Sequence, residues 1–298
     1  MHLRKVDGAC VFLAPDNRCR VHATYGSQAK PGFCREFPYA VVSDPLGASL
    51  TIRDTCAGFH ESAVDGQPLT EQVDDAIALA RLAPHPSFQP ERVMVGGGAS
   101  LPLDAWMALE PQLLAGLRGL DLEPAGLVAW VRRTAMAAVP AVGTAPQPAR
   151  GRLAARATIE ALRITIQGVL DQEQAPSAAD EAFTRRLLAN VVKAGAQLTA
   201  DLPPLTAATR AHVNLLLQSR ILSKDFQQVG GLPEGLGLYV VDCLLAQAAA
   251  EPDAQGAVGV AAFSAVYTRH VRLTRNRSMV PVLKMARPAL VDVFLHAE

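Results

Sequence analysis

The sequence predicts a mainly α protein: a small, irregular, cysteine-rich metal-binding lobe with one short hairpin over residues 1–62, followed by an all-helical domain over 63–298. Three observations carry this expectation. Four of the five cysteines and four of the nine phenylalanines fall within the first 60 residues, among turn residues every few positions and without a long helical period. From about residue 70 onward, Leu, Ala and Val recur at three- and four-residue spacing, the pattern of helices with one apolar face. A segment with as little apolar surface as the first usually needs a metal or disulfide staple to be ordered.

The elements follow in order. Alternating residues at 39–42 and 49–53 flank the turn sequence Asp44-Pro45-Leu46-Gly47, which predicts a hairpin. Helical periodicity covers 71–82, 103–117, 123–138, 152–170, 178–198, 207–223, 236–250 and 259–274. Thr70, Ser177 and Thr206 stand where helix N-caps belong. Pro84-His85-Pro86, Gly96-Gly97-Gly98, the stretch 140–148, Pro203-Pro204 and the stretch 230–235 read as connections. No internal repeat of solenoid period is evident.

Composition narrows the function classes. The 298 residues are half hydrophobic, enough for a sizeable core, and their net charge is zero, which implies no nucleic-acid partner. Apolar runs are too short to span a bilayer; the stretch 238–250 is interrupted by Asp242 and Gln247. The N-terminal apolar patch ends at Pro15, too soon for a signal-peptide core, so the expected location is the cytoplasm. Thiols stay reduced there, and five cysteines cannot all pair, so a metal or redox site is favoured over a disulfide framework.

Chance would put four of five cysteines within the first 56 residues on the order of once in two hundred trials, so their clustering needs a cause. Cys10, Cys19, Cys34 and Cys56 are the candidate metal ligands. Four thiolates complete a tetrahedral zinc site or the corners of a [4Fe-4S] cluster. Their spacing, C-x8-C-x14-C-x21-C, contains no C-x2-C knuckle and leaves the metal open between zinc and iron-sulfur. Arg18, Arg20, Lys30, Arg35 and Arg53 lie near them in sequence, where positive charge lowers thiol pKa, and Phe12, Phe33, Phe37 and Phe59 are candidates to exclude water. Cys243, on an apolar stripe beside Leu244 and Leu245, reads as a core residue.

The strings Gly8-Ala9-Cys10-Val11-Phe12-Leu13, Arg18-Cys19-Arg20-Val21-His22 and Lys30-Pro31-Gly32-Phe33-Cys34-Arg35-Glu36-Phe37-Pro38 resemble the YkgJ-type cysteine-cluster proteins, a zinc- or iron-chelating family. Cys56, after a short hairpin, resembles that family's closing ligand. The resemblance covers about residues 8–60. Beyond it, the helical tail is loosely similar to the long-tailed members, among them the flagellin lysine-N-methylases. That likeness implies an iron-sulfur cluster, S-adenosylmethionine as a cofactor and a protein lysine as substrate. The family usually opens with a C-x2-C-x2-C-C string that this chain, read from Met1, does not contain. The resemblance therefore implies a shortened member or an upstream start carrying up to four more ligands.

Other features have plainer explanations. His22 stands in a C-x2-H spacing that suits zinc, yet the resembling family often has tyrosine there. Gly96-Gly97-Gly98 lacks the Gly-Lys-Ser/Thr of a phosphate loop and reads as a flexible connector. Arg269, Arg272, Arg275 and Arg277, with His270, suit either an acidic partner or a solvated helix face. Trp106 and Trp130 read as core, and Asp74-Asp75 and Asp180-Glu181 as helix-start acids. No Ser/His/Asp or Cys/His arrangement stands out. The functional expectation is a metal-binding cysteine-cluster protein. The alternatives are an S-adenosylmethionine-dependent protein lysine methyltransferase, and a non-catalytic module whose protein partner depends on the intact cysteine site.

Overall fold

A computed structural model describes residues 5–6, 9–15, 18–63, 65–80, 86–96, 98–140 and 202–274, with positions 160, 163, 164, 167, 185, 188, 189 and 192. It is mainly α, as expected, with three two-stranded antiparallel sheets among the described residues. The expected helices at 152–170 and 178–198 lie largely outside them.

The first strands, β1 (Lys5–Val6) and β2 (Ala9–Cys10), pair with Lys5 opposite Cys10. Three short helices follow in the cysteine-rich segment: α1 (Arg20–Tyr25), α2 (Gly32–Glu36) and α3 (Ala57–Glu61). At five or six residues each they are too short for a 3.6-residue period to show in sequence. The predicted hairpin forms between α2 and α3 from β3 (Tyr39–Asp44) and β4 (Gly47–Ile52), with Tyr39 opposite Ile52 and Asp44 opposite Gly47. Its turn chemistry is local: Leu46 N–H donates to Asp44 Oδ1 at 2.9 Å, and Gly47 takes a φ of 137° that side chains resist. Ala40, Val42 and Thr51 are buried.

After a 3-10 turn at Leu69–Gln72, α4 spans Val73–Ala80. Thr70 therefore lies inside that turn and does not cap the helix. The region 63–298 is not all-helical, because β5 (Arg92–Gly96) and β6 (Ala99–Pro102) form a second hairpin there. Val93, Val95 and Leu101 point into the core, while Gly96 (φ 127°) and Gly98 (φ 75°) shape the reversal. Gly96 and Gly98, from the run read as a flexible connector, belong to this hairpin; strands of four and five residues offer too little alternation to be read against the helical background.

The remaining helices are α5 (Leu103–Leu117), α6 (Pro124–Ala137), α7 (Ala207–Leu222), α8 (Phe226–Val229), α9 (Leu232–Ala249) and α10 (Val260–Thr274). Thr206 caps α7 as expected, its hydroxyl accepting from Thr209 N–H at 3.2 Å. Helix α9 begins four residues before the periodicity does. Pro233 is tolerated in its first turn, and Gly235 sits so tightly on Phe226 that a Cβ there would meet Phe226 Cβ at 2.2 Å. Buried along nearly all its length, α9 is the central helix, packed by α6, α7, α8, α10 and β5. Trp106, Leu113, Leu127, Leu216 and Phe263 are fully enclosed around it, as is its own Tyr239.

Candidate metal centre

Each predicted ligand is positioned by local backbone. Cys10 ends β2, and its carbonyl accepts Leu13 N–H at 2.9 Å. Leu13 then bridges antiparallel to Cys19, while Ala14 N–H reaches Arg18 O at 2.8 Å and Arg20 N–H reaches Phe12 O at 2.8 Å. The loop from Cys10 to Cys19 is thus closed on itself. Cys19 is the N-cap of α1, Cys34 lies in the first turn of α2 behind Pro31, and Cys56 is the N-cap of α3. All four are half-buried free thiols.

The electrostatics of Cys34 reflect two of the other cysteines. Burial pushes the Cys34 thiol up, Lys30 pulls it down, and Cys10 and Cys19 push it up again. The donors suit a soft cation chemically, since all four are free thiols. They are not, however, assembled into a ligand shell: no three His, Cys, Asp or Glu side chains among the described residues are grouped closely enough to hold a metal ion.

The supporting residues expected from sequence behave unevenly. Lys30 acts on Cys34, but Arg20 donates to Val11 O, Arg35 to Gln28 Oε1 at 3.2 Å and Arg53 to Tyr39 O at 3.2 Å. These three arginines brace the backbone or a neighbouring side chain. Phe12 and Phe37 are 38% and 48% exposed, so they do not enclose the thiols, and Phe59 turns toward His60 and His212 instead. Phe33 has no described side chain. His22 is exposed. Cys243 is fully buried, and burial pushes its thiol well up, as befits a core residue.

Around Cys56 the structure builds a buried polar network that sequence reading missed. Asp54, two residues before Cys56, accepts from Arg220 Nε at 3.1 Å and from the Tyr267 hydroxyl at 3.1 Å, both through Oδ2. Arg220 Nη2 donates to Asp242 Oδ2 at 2.9 Å and to the Tyr267 hydroxyl at 3.1 Å. Burial opposes the charge on Arg220, but Tyr267, Asp54 and Asp242 together hold the guanidinium well above its ordinary pKa. His60, on the turn after Cys56, contacts Asp54 O through Nε2 at 2.7 Å and His212 Nε2 through Nδ1 at 2.8 Å. A carbonyl can only accept, so His60 carries its proton on Nε2. With both rings neutral, its Nδ1 then accepts from His212 Nε2–H, which leaves His212 Nδ1 as a buried acceptor with no partner among the described residues.

Two further contacts repeat this docking. Thr51 Oγ1 donates to Ser219 Oγ at 2.9 Å, and Ser219 Oγ donates to Ile52 O at 2.8 Å. Lys224, just past α7 at φ 55°, pairs with Glu110 and stands 3.7 Å from Asp44 Oδ2. His212, Ser219 and Arg220 share one face of α7, with Lys224 continuing it, so residues 44–60 meet α7 along one stripe, and Tyr267 of α10 adds its contact to Asp54. The only sequence signal was charge on apolar helices: Asp242 within 238–250, and Arg220 before Ile221-Leu222. Of the arginine-rich segment, His270 is buried, Arg275 and Arg277 lie outside the described residues, and nothing is described of the side chains of Arg269 and Arg272.

No family model matches the chain, and no curated protein and no solved structure matches it. No helix among the described residues is long and apolar enough to cross a membrane.

Proposed function

We propose that this is a metal-binding protein whose N-terminal cysteines take up zinc or an iron-sulfur cluster. The observation that supports it most is that Cys10 and Cys19, from two other segments, lie near enough to Cys34 to push its thiol up. Neighbouring thiolates repel one another, and a soft cation bound among them would reverse that cost and deprotonate them outright. Binding then closes the segments around the metal, so that ligation free energy becomes local folding free energy. Cys56, a free thiol at the start of α3, would supply the fourth donor.

The test is metal analysis of protein purified without oxygen, with visible absorbance to separate a coloured iron-sulfur cluster from colourless zinc. Near-stoichiometric metal is expected. Iron and zinc together below about a tenth of an equivalent overturn the proposal, since a site coupled to folding does not remain empty in intact protein.

A further inference from the structure

A cavity of about 170 Å³ lies between the N-terminal hairpin and the end of α7, lined by residues from α2, β3, Pro86-Ser87 and the α7–α8 turn. Its volume is below the roughly 300–1,000 Å³ that holds a drug-sized molecule. Ala40 and Val42 give it a buried apolar floor. The rim is polar, and much of that polarity is uncommitted. Glu36 forms no ion pair or hydrogen bond with any described residue, and neither do the Tyr39 hydroxyl, the Ser87 hydroxyl or the Gln227 carboxamide. Arg53 uses Nε on Tyr39 O at 3.2 Å, which fixes the guanidinium and leaves both terminal nitrogens to donate. The other cation, Lys224, is committed to Glu110 and Asp44.

Beside the already partnered Lys224 and Asp225, Glu36 and Arg53 stand on this cavity without being bridged to each other and present opposite charges at separate points. We infer that the cavity is a binding site for a small zwitterion of the α-amino acid class, its carboxylate held by Arg53 and its ammonium by Glu36. An arginine whose Nε is already tied offers a planar pair of donors to a carboxylate, and charge-assisted hydrogen bonds at both ends select for a ligand carrying both charges. The Ala40 and Val42 floor takes a short aliphatic or polar side chain. The inference goes beyond metal binding: neither charged group is one of the four cysteines, although Glu36 shares α2 with Cys34.

The experiment uses the full chain, with and without chelator, and each of the twenty standard amino acids at about 10 mM in ligand-observed NMR, a concentration that reveals millimolar binders. At least one should bind saturably, and its deaminated acid and its methyl ester should each bind tenfold or more weakly. Glu36→Gln and Arg53→Gln should each weaken binding by tenfold or more while keeping the wild-type thermal midpoint, and Glu91→Gln, outside the cavity, should leave it unchanged. Absence of binding by all twenty overturns the inference, as does binding that survives both substitutions. Equal binding of the deaminated acid also overturns it, by showing a simple anion site. Loss of metal with retained amino-acid binding would separate this site from the metal centre.

Discussion

At the level of single residues, the four N-terminal cysteines and Cys243 differ in kind although all five are free thiols. Replacing any one of Cys10, Cys19, Cys34 or Cys56 by serine should lower metal content sharply and by a similar factor, because a structural site is closed by four ligands. Cys243→Ser should leave metal unchanged and cost about 1–3 kcal/mol in a denaturant titration if its hydroxyl finds no partner. Metal loss on Cys243→Ser comparable to Cys34→Ser would refute the ligand set. The buried histidines make a separate prediction. Burial and neighbouring His60 lower His212 to about 3, and burial lowers His270 to about 4. Both are neutral in the folded chain while the unfolded chain protonates them near the ordinary value of about 6.5. Unfolding therefore takes up protons below that pH, and stability should fall as pH drops from about 6.5 toward 4, by up to about 1.4 kcal/mol per pH unit per histidine. Urea midpoints across that range check it; a flat profile would contradict the burial of both rings.

At the level of elements, α7 connects the N-terminal hairpin to the core, and its contact is polar where most helix faces are apolar. Arg220 neutralises two carboxylates that belong to different parts of the chain, Asp54 before α3 and Asp242 within α9. Arg220→Met should cost about 3–5 kcal/mol in chemical denaturation, because it strands both carboxylates in the interior. A loss under 1 kcal/mol would mean that water reaches them. Helix α9 makes a complementary prediction about shape. Gly235→Ala places a methyl group within 2.4 Å of Phe226 Cα, a backbone atom that cannot rotate away. A destabilisation of about 1–3 kcal/mol is expected from this overpacking, against the small gain alanine gives in an open helix. The sequence periodicity placed α9 correctly but started it at 236, because glycine lowers helix propensity and the packing that requires glycine is invisible in a linear string.

At the level of the whole molecule, the cysteine-rich segment is anchored unequally. Residues 44–60 reach α7 and α10 through Asp54, His60, Thr51 and Asp44, whereas the described side chains of α1 are all at least partly exposed. Chelation should therefore loosen residues 9–36, seen as faster amide hydrogen exchange, while 39–61 keep their protection. Equal loosening of both stretches would show that the buried network does not hold without metal.

The sequence by itself determined the mainly helical class, the positions of α5, α6, α7 and α10, the first hairpin, the Thr206 cap and the core placement of Trp106 and Cys243. Each of these is a local matter: period, turn chemistry and capping act between residues a few positions apart. The same local signals singled out Cys10, Cys19, Cys34 and Cys56 as candidates. Only the tertiary structure brought Cys10 and Cys19 near Cys34, and only it produced the second hairpin, the His60 and His212 pair, the Asp54, Arg220, Asp242 and Tyr267 network and the cavity beside Glu36 and Arg53. Asp54 and Tyr267 are 213 positions apart, yet their side chains meet at 3.1 Å. The chemistry of such a pair is set by burial and by charges that converge from distant segments, and no spacing along a chain encodes that convergence.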